Sequence, residues 1–183
     1  MDKIVIQELE FIRLIKAEEI QNRIRELANL ILNHYQNTLG EIHVLIIMNG
    51  GFMFASDLLR FLDQRFIAHF IRIKSYDGFV QSEEIRLDAD VSWDQFKNKP
   101  ILLIEDIIDS GRTLRQLHDQ MKSKEIENII SVSLLIKPNS VITEFENLFY
   151  GFTIQDKFVI GYGMDYNGIG RGLEHIYQLK VLS

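Results

Sequence analysis

The chain has 183 residues, enough for one domain, and is 46% hydrophobic and 25% charged, the balance of a folded protein that can bury a core without covalent staples. Twenty Lys and Arg against twenty-six Asp and Glu give a formal charge of −6, which does not suit a general nucleic-acid or anionic-membrane binder. There is no cysteine, so disulfides, thiolate catalysis, iron–sulfur clusters and cysteine zinc sites are excluded. The aliphatic run at 44–48 is far too short to span a bilayer, and Met1-Asp2-Lys3 lacks the basic-then-apolar plan of a secretory signal; a cytoplasmic setting is expected.

No internal repeat or low-complexity tract interrupts the chain. Residues 17–34 predict a helix, because Ile20, Ile24, Leu27, Ala28 and Ile31 recur three to four apart while Glu18, Glu19, Arg23, Arg25 and Glu26 fall elsewhere. Residues 44–48 predict a short buried strand ending in Asn49-Gly50-Gly51, followed by a helix over 52–61 with Phe54, Leu58 and Phe61 on one side. Alternation over 67–74 predicts a strand, with Ile71 and Ile73 facing one way and Phe70, Arg72 and Lys74 the other. From Tyr76 to Asn98 the chain is polar and acidic, which predicts a loop with a short helix near Trp93–Phe96. A second buried strand is expected at 101–104, then acids and a glycine, then a helix from about 113 to 122. Ile129–Ile136 is a third apolar run, ended by Lys137-Pro138, and 149–153 and 158–162 read as two more short strands. Apolar strands alternating with helices predict an α/β fold on a mostly parallel central sheet flanked by helices. Ligands of such sheets bind beyond the carboxyl ends of the strands, which directs attention to 49–51, Ser75-Tyr76, 105–113, Lys137 and 162–165.

The most informative stretch is Ile101-Leu-Leu-Ile-Glu105-Asp106-Ile-Ile-Asp109-Ser110-Gly111-Arg112-Thr113-Leu114. Ser-Gly-Arg-Thr opening a helix makes a phosphate cradle: Gly111 permits close backbone approach, Ser110 and Thr113 supply hydroxyls, and the helix-start N–H groups face the anion. Carboxylates beside a phosphate site would repel the ligand unless they accept hydrogen bonds from a sugar diol or act through a divalent cation, so a phosphate followed by a ribose is the natural guest. A plain acidic loop capping a helix is the competing account. There is no GxxxxGK[ST] loop, and Gly168-x-Gly170-x-Gly172 lacks the GxGxxG spacing. No HExxH occurs among the histidines, and His43 and His69 are expected at strand edges rather than on a metal.

Residues 101–114 resemble the phosphoribosyl-pyrophosphate (PRPP) motif of the type I phosphoribosyltransferases, in the hypoxanthine-guanine form. The likeness runs from about residue 11 to 178. It includes Phe70-Ile-Arg-Ile-Lys-Ser75-Tyr76, similar to the entry of the family's mobile catalytic loop, Leu134-Leu-Ile-Lys137, and Asp156-Lys157-Phe158-Val159 through Asp165 to Arg171. The resemblance implies one domain, with a core over about 17–165 and a small hood from about 1–16 and 166–183. It implies that Glu105 and Asp106 hold the ribose hydroxyls directly or through Mg²⁺, that Asp109 is the general base and acid at purine N7, and that Ser110, Gly111, Arg112 and Thr113 hold the 5′-phosphate. Asp165 would help place Mg²⁺, Arg171 would neutralise pyrophosphate, and the turn with Asn49 and Gly50, which commonly holds a cis non-proline peptide in this family, would face pyrophosphate too. Ser75 and Tyr76 would open a loop that closes over the site. The implied substrates are PRPP and a purine base, the implied products IMP or GMP, and the family habit implies a homodimer or homotetramer.

Within that resemblance, base recognition follows atom by atom. Lys137 only donates, so it suits the 6-oxo acceptor of hypoxanthine or guanine and clashes with the amino group of adenine, a kind of mismatch worth up to roughly 10⁴–10⁵-fold. Phe158 would stack on the ring and the Val159 backbone would read the pyrimidine edge. Departures from the family pattern are Asn49 where many relatives carry Lys, Arg112 for Lys and Ser110 for Thr. Two alternatives stay open: another type I enzyme, for xanthine, adenine or a pyrimidine, and an RNA-binding regulator of the same fold, against which the negative charge argues.

Overall fold

The computed structural model describes residues 2–75, 83–87, 92–141 and 145–180. In chain order the elements are β1 (Lys3–Ile6), β2 (Leu9–Ile15), α1 (Ala17–His34), β3 (Ile42–Met48), α2 (Phe52–Leu59), β4 (Phe66–Ser75), β5 (Glu83–Leu87), a 3₁₀ turn at Trp93–Phe96, β6 (Ile101–Ile108), α3 (Arg112–Ser123), β7 (Ile129–Ile136), β8 (Leu148–Thr153), β9 (Val159–Ile160) and β10 (Ile176–Leu179). The main sheet has the order β5-β4-β3-β6-β7-β8. β4, β3, β6, β7 and β8 are parallel, and β5 closes one edge antiparallel to β4.

The continuous apolar runs become inner strands because both of their faces are covered. Val44 and Ile46 pack with Ile20, Ile24, Leu27 and Ile31 of α1 and with Phe54 and Leu58 of α2 on one face. Leu45 and Ile47 alternate to the other, against Leu114, Leu117 and Met121 of α3 and Phe96. All five apolar positions of the α1 stripe are buried, each large aliphatic contributing about 1.5–3 kcal/mol. α1 is anchored at its start, where the Lys16 N–H donates to Glu19 and the Ala17 N–H donates to His175 Nδ1 at 2.9 Å. A second, four-stranded antiparallel sheet has the order β1-β2-β10-β9, so segments from both ends of the chain build the expected hood.

Several expectations need correction. The second helix stops at Leu59, and Phe61 lies beyond it, about a third exposed with the Arg25 guanidinium over its ring. The polar stretch after residue 76 contains the strand β5, whose Ile85 pairs with Ile73. β6 runs four residues past 104, so Glu105 and Asp106 sit within a strand rather than in a loop. The strand expected over 158–162 is only Val159–Ile160 and belongs to the hood sheet, inside the stretch assigned to the core. His43 and His69 lie within neighbouring strands, with a 3.0 Å Nδ1···Nε2 contact and Phe96 set edge-on to both rings.

Candidate active site

The site arises from unequal strand lengths. β3 stops pairing with β6 at Ile46–Ile104, while β7 follows β6 to Ile108–Ile136. The last turn of β6 therefore has no strand on its β3 side, and the chain after β3 folds into the gap. There the Met48–Asn49 peptide is cis, as the resemblance implied. The Cα of Gly50 lies against the Asp106 carboxylate, so closely that a Cβ would stand 1.8 Å from Oδ2. Asn49 is exposed.

A cavity of about 290 Å³ opens beside this gap, lined by Ile47, Met48, Ile73 and residues 105–114. Its floor is the start of α3. Gly111 caps that helix in the left-handed conformation, φ +77°, with no side-chain cap. Its missing side chain leaves room for the Phe145 ring, 2.9 Å from where a Cβ would sit. The glycine thus serves the turn and the packing beneath it. The first turn of α3 carries no acidic residue, and the Arg112 N–H leans toward Ser110 Oγ at 3.4 Å, so the positive end of the helix dipole lies at the cavity.

A second cavity, about 210 Å³, shares Asp106, Ile107 and Asp109 with the first and adds Lys137, Phe158, Val159, Met164 and Asp165. Lys137 follows β7. Its backbone N–H donates to Ile108 O at 2.9 Å, and its side chain is only 8% exposed, with Nζ donating to Asp109 Oδ2 at 2.6 Å and to Asp156 Oδ1 at 3.3 Å. A Lys before a proline is ordinarily a solvated strand end; this one is drawn inward by the Asp109 carboxylate, which stands 28 positions earlier on the neighbouring connection. Phe158 is 45% exposed, its ring edge-on to Tyr166.

Asp165 and Arg171 meet each other. Arg171 pairs with Asp165 Oδ1 at 2.5 Å and donates to Gly163 O at 2.8 Å, and the Gly168 N–H donates to Asp165 Oδ2 at 2.6 Å. The turn they stabilise rests on the Gly50 turn, since a Cβ on Gly163 would meet Gly50 O at 2.1 Å. From beneath, Tyr162 donates its hydroxyl to Asp57, which also accepts from Gln21 at 2.6 Å. Burial first, then the Asp57 carboxylate, pushes the Tyr162 hydroxyl well above its ordinary pKa, so it stays a donor. Glu105, Asp106 and Asp165 do not share one metal site: among the described residues no three His, Asp or Glu side chains converge. This donor set fits Mg²⁺, which takes one or two carboxylates and completes its shell with water and ligand phosphates.

The structure thus brings Glu105, Asp106, Asp109, Ser110, Gly111, Arg112 and Thr113 to one cavity and Asp109, Lys137, Phe158, Val159 and Asp165 to its neighbour. Gly50 backs Asp106, and Arg171 supports Asp165. Ser75 ends β4, and Tyr76 lies outside the described residues. Sequence reasoning missed the aliphatic wall of Ile47 and Ile73, the Phe145 support and the Gln21–Asp57–Tyr162 clasp, for which local sequence carries no signal. Asp156 was visible in the motif but had no role.

The family model for the phosphoribosyl transferase domain matches residues 16–167. The chain belongs to the phosphoribosyltransferase family. It is 33% identical to the hypoxanthine-guanine phosphoribosyltransferase of Aquifex aeolicus, over 91% of this chain and 93% of that protein, and 35% identical to that of Staphylococcus aureus strain Mu50, over 91% and 92%. The crystal structure of a hypoxanthine phosphoribosyltransferase from Staphylococcus aureus superposes with a TM-score of 0.79 at 33% identity, covering 92% of this chain and 90% of that one. This phosphoribosyltransferase accordingly has the type I architecture, a parallel core under a separate antiparallel hood.

Proposed function

We propose that this phosphoribosyltransferase salvages purines, transferring the 5-phosphoribosyl group of PRPP to N9 of hypoxanthine or guanine to give IMP or GMP and pyrophosphate. The observation that carries the proposal is the pair of cavities joined across Asp106, Ile107 and Asp109, one floored by a helix N-terminus and the other walled by Lys137 and Phe158. A nucleoside monophosphate has the same layout: phosphate, sugar diol, base.

In this arrangement residues 110–113 hold the 5′-phosphate by backbone N–H groups and hydroxyls. Glu105 and Asp106 accept from the ribose hydroxyls, and Lys137 donates to the 6-oxo oxygen while Phe158 covers the ring. The bond from C1′ to pyrophosphate breaks as the N9–C1′ bond forms, and C1′ passes through a cationic state as in other glycosyl transfers. Asp109 receives the proton that the purine loses at N7. Arg171 holds Asp165 in the wall of the cavity assigned to the base. Mg²⁺ is the proposed cofactor; Glu105 and Asp106 on one side, or Asp165 on the other, would each hold an ion together with water and ligand oxygens, and when bound it would supply charge neutralisation for the leaving pyrophosphate. A cytoplasmic setting is proposed from the sequence reading, and a dimeric or tetrameric assembly from the family resemblance. No helix among the described residues is long and apolar enough to cross a membrane.

The test is direct. The protein is incubated with PRPP and Mg²⁺, each of hypoxanthine, guanine, xanthine, adenine and uracil is offered in turn, and nucleotide is followed by absorbance. Turnover of hypoxanthine or guanine with adenine rejected supports the proposal; turnover confined to xanthine, adenine or uracil, or none at all, overturns it.

A further inference from the structure

In the structure the Lys137 ammonium is bonded to Asp109, the group proposed as base, at 2.6 Å. Both partners of that bond are needed elsewhere once a purine enters, Lys137 at the 6-oxo oxygen and Asp109 at N7, so the bond must open. The Lys137 side chain is 8% exposed, and separating a buried ammonium from its sole carboxylate is costly. Asp156 changes this balance. It lies in the bend between β8 and β9, two residues before Phe158, and is 69% exposed with Oδ1 3.3 Å from the same Nζ. The Lys137 backbone is held to β6 through Ile108 O, so only the side chain turns. An ammonium has three N–H donors, enough to keep one on Asp156 while another passes from Asp109 to the base.

Resting on the proposed 6-oxopurine transfer, we infer that Asp156 is a positioning residue: it retains the Lys137 ammonium while the base displaces Asp109, so that Lys137 reaches the 6-oxo group and Asp109 is released to take the proton. Without Asp156, Lys137 has only Asp109 to pair with among the described residues, and every base must break that pair unaided. The deficit falls on base binding, because the PRPP side is lined by other residues.

The experiment compares wild type, Asp156→Asn and Asp156→Glu in steady-state turnover, varying hypoxanthine at saturating PRPP and PRPP at saturating hypoxanthine. An exposed carboxylate partner contributes modestly, so Asp156→Asn is expected to raise the KM for hypoxanthine roughly two- to fivefold, with the KM for PRPP changed less than about 1.5-fold. Asp156→Glu is expected to restore most of the base KM. An unchanged hypoxanthine KM in Asp156→Asn, equal changes in both KM values, or failure of Asp156→Glu to recover the base KM would each overturn the role. Thermal melting of the variants shows whether they are folded, and the exposed position of Asp156 leads us to expect that they are. Wild type inactive with every 6-oxopurine would overturn the function proposal, and this inference with it; an active wild type with an unaffected Asp156→Asn would overturn the inference alone.

Discussion

Gly50→Ala isolates the contact between the cis-peptide turn and the acidic strand end. Gly50 is not in the left-handed region, so alanine strains no backbone there. Its new Cβ would lie 1.8 Å from Asp106 Oδ2, 2.4 Å from Cγ and 2.8 Å from Oδ1, and since real Cβ contacts stay above 3.0 Å, the carboxylate must retreat by at least about 1.2 Å. A misplacement of about 1 Å at a positioning group costs roughly 10²-fold in rate, equivalent to about 2.7 kcal/mol of transition-state stabilisation. We therefore expect kcat/KM for PRPP to fall about 10²-fold, with a drop in Tm of less than about 4 °C because only one side chain at the cavity wall has to move. The assay is a double-mutant cycle of Gly50→Ala and Asp106→Ala on kcat/KM, with melting curves as the stability control. With the carboxylate removed the Cβ has space, so Gly50→Ala in the Asp106→Ala background should cost less than about 0.5 kcal/mol. Wild-type activity in Gly50→Ala, or a full loss added on top of Asp106→Ala, would show that this contact does not govern the site.

Asp109→Asn is expected to bind PRPP as wild type does and to lose about 10²–10⁴-fold in turnover; a single-turnover assay with unchanged rate would remove Asp109 from the chemistry. His118 gives the fold a pH dependence. Burial first, aided by Lys122 and Arg115 and opposed by Asp119, holds its pKa below the usual 6.5, and its Nε2 lies 2.8 Å from Ser131 Oγ. The unfolded chain then binds a proton near pH 6.5 that the folded chain resists, so stability is full above that value and falls as the pH is lowered through it. His118→Gln should lose less Tm than wild type between pH 7 and pH 5, and parallel Tm profiles would refute the assignment.

The parts of the fold legible in the sequence are those whose pattern is local. The α1 stripe of Ile20, Ile24, Leu27, Ala28 and Ile31 and the unbroken apolar run of β7 declare both period and burial, and each forms over the expected residues. The Glu105 to Thr113 segment is legible for a different reason: its order of strand, carboxylates, glycine and helix has chemical meaning by itself. Features that depend on a distant partner are not legible. β6 continues through Glu105 and Asp106 because β7 is there to pair with it. β5 is too short and too charged to declare itself without β4. The burial of Lys137 depends on Asp109, and Asp165 and Arg171, assigned separate duties, are each other's partner. Periodicity cannot express contacts of this kind, because they are fixed by tertiary neighbours rather than by neighbours along the chain.

The hood sheet constrains the order in which the molecule can be assembled. β2 leaves the ribosome before every strand of the parallel core and β10 after all of them, yet the two are neighbours, with Phe11 opposite Leu179. The early hairpin must wait for the whole core to be synthesised before it gains its partner. Among the described residues β9 is bonded into that sheet only through β10, so a nascent chain can complete the cavity floor at the start of α3 before the strand bearing Val159 gains its backbone partner. The wall that carries Val159 is therefore finished last.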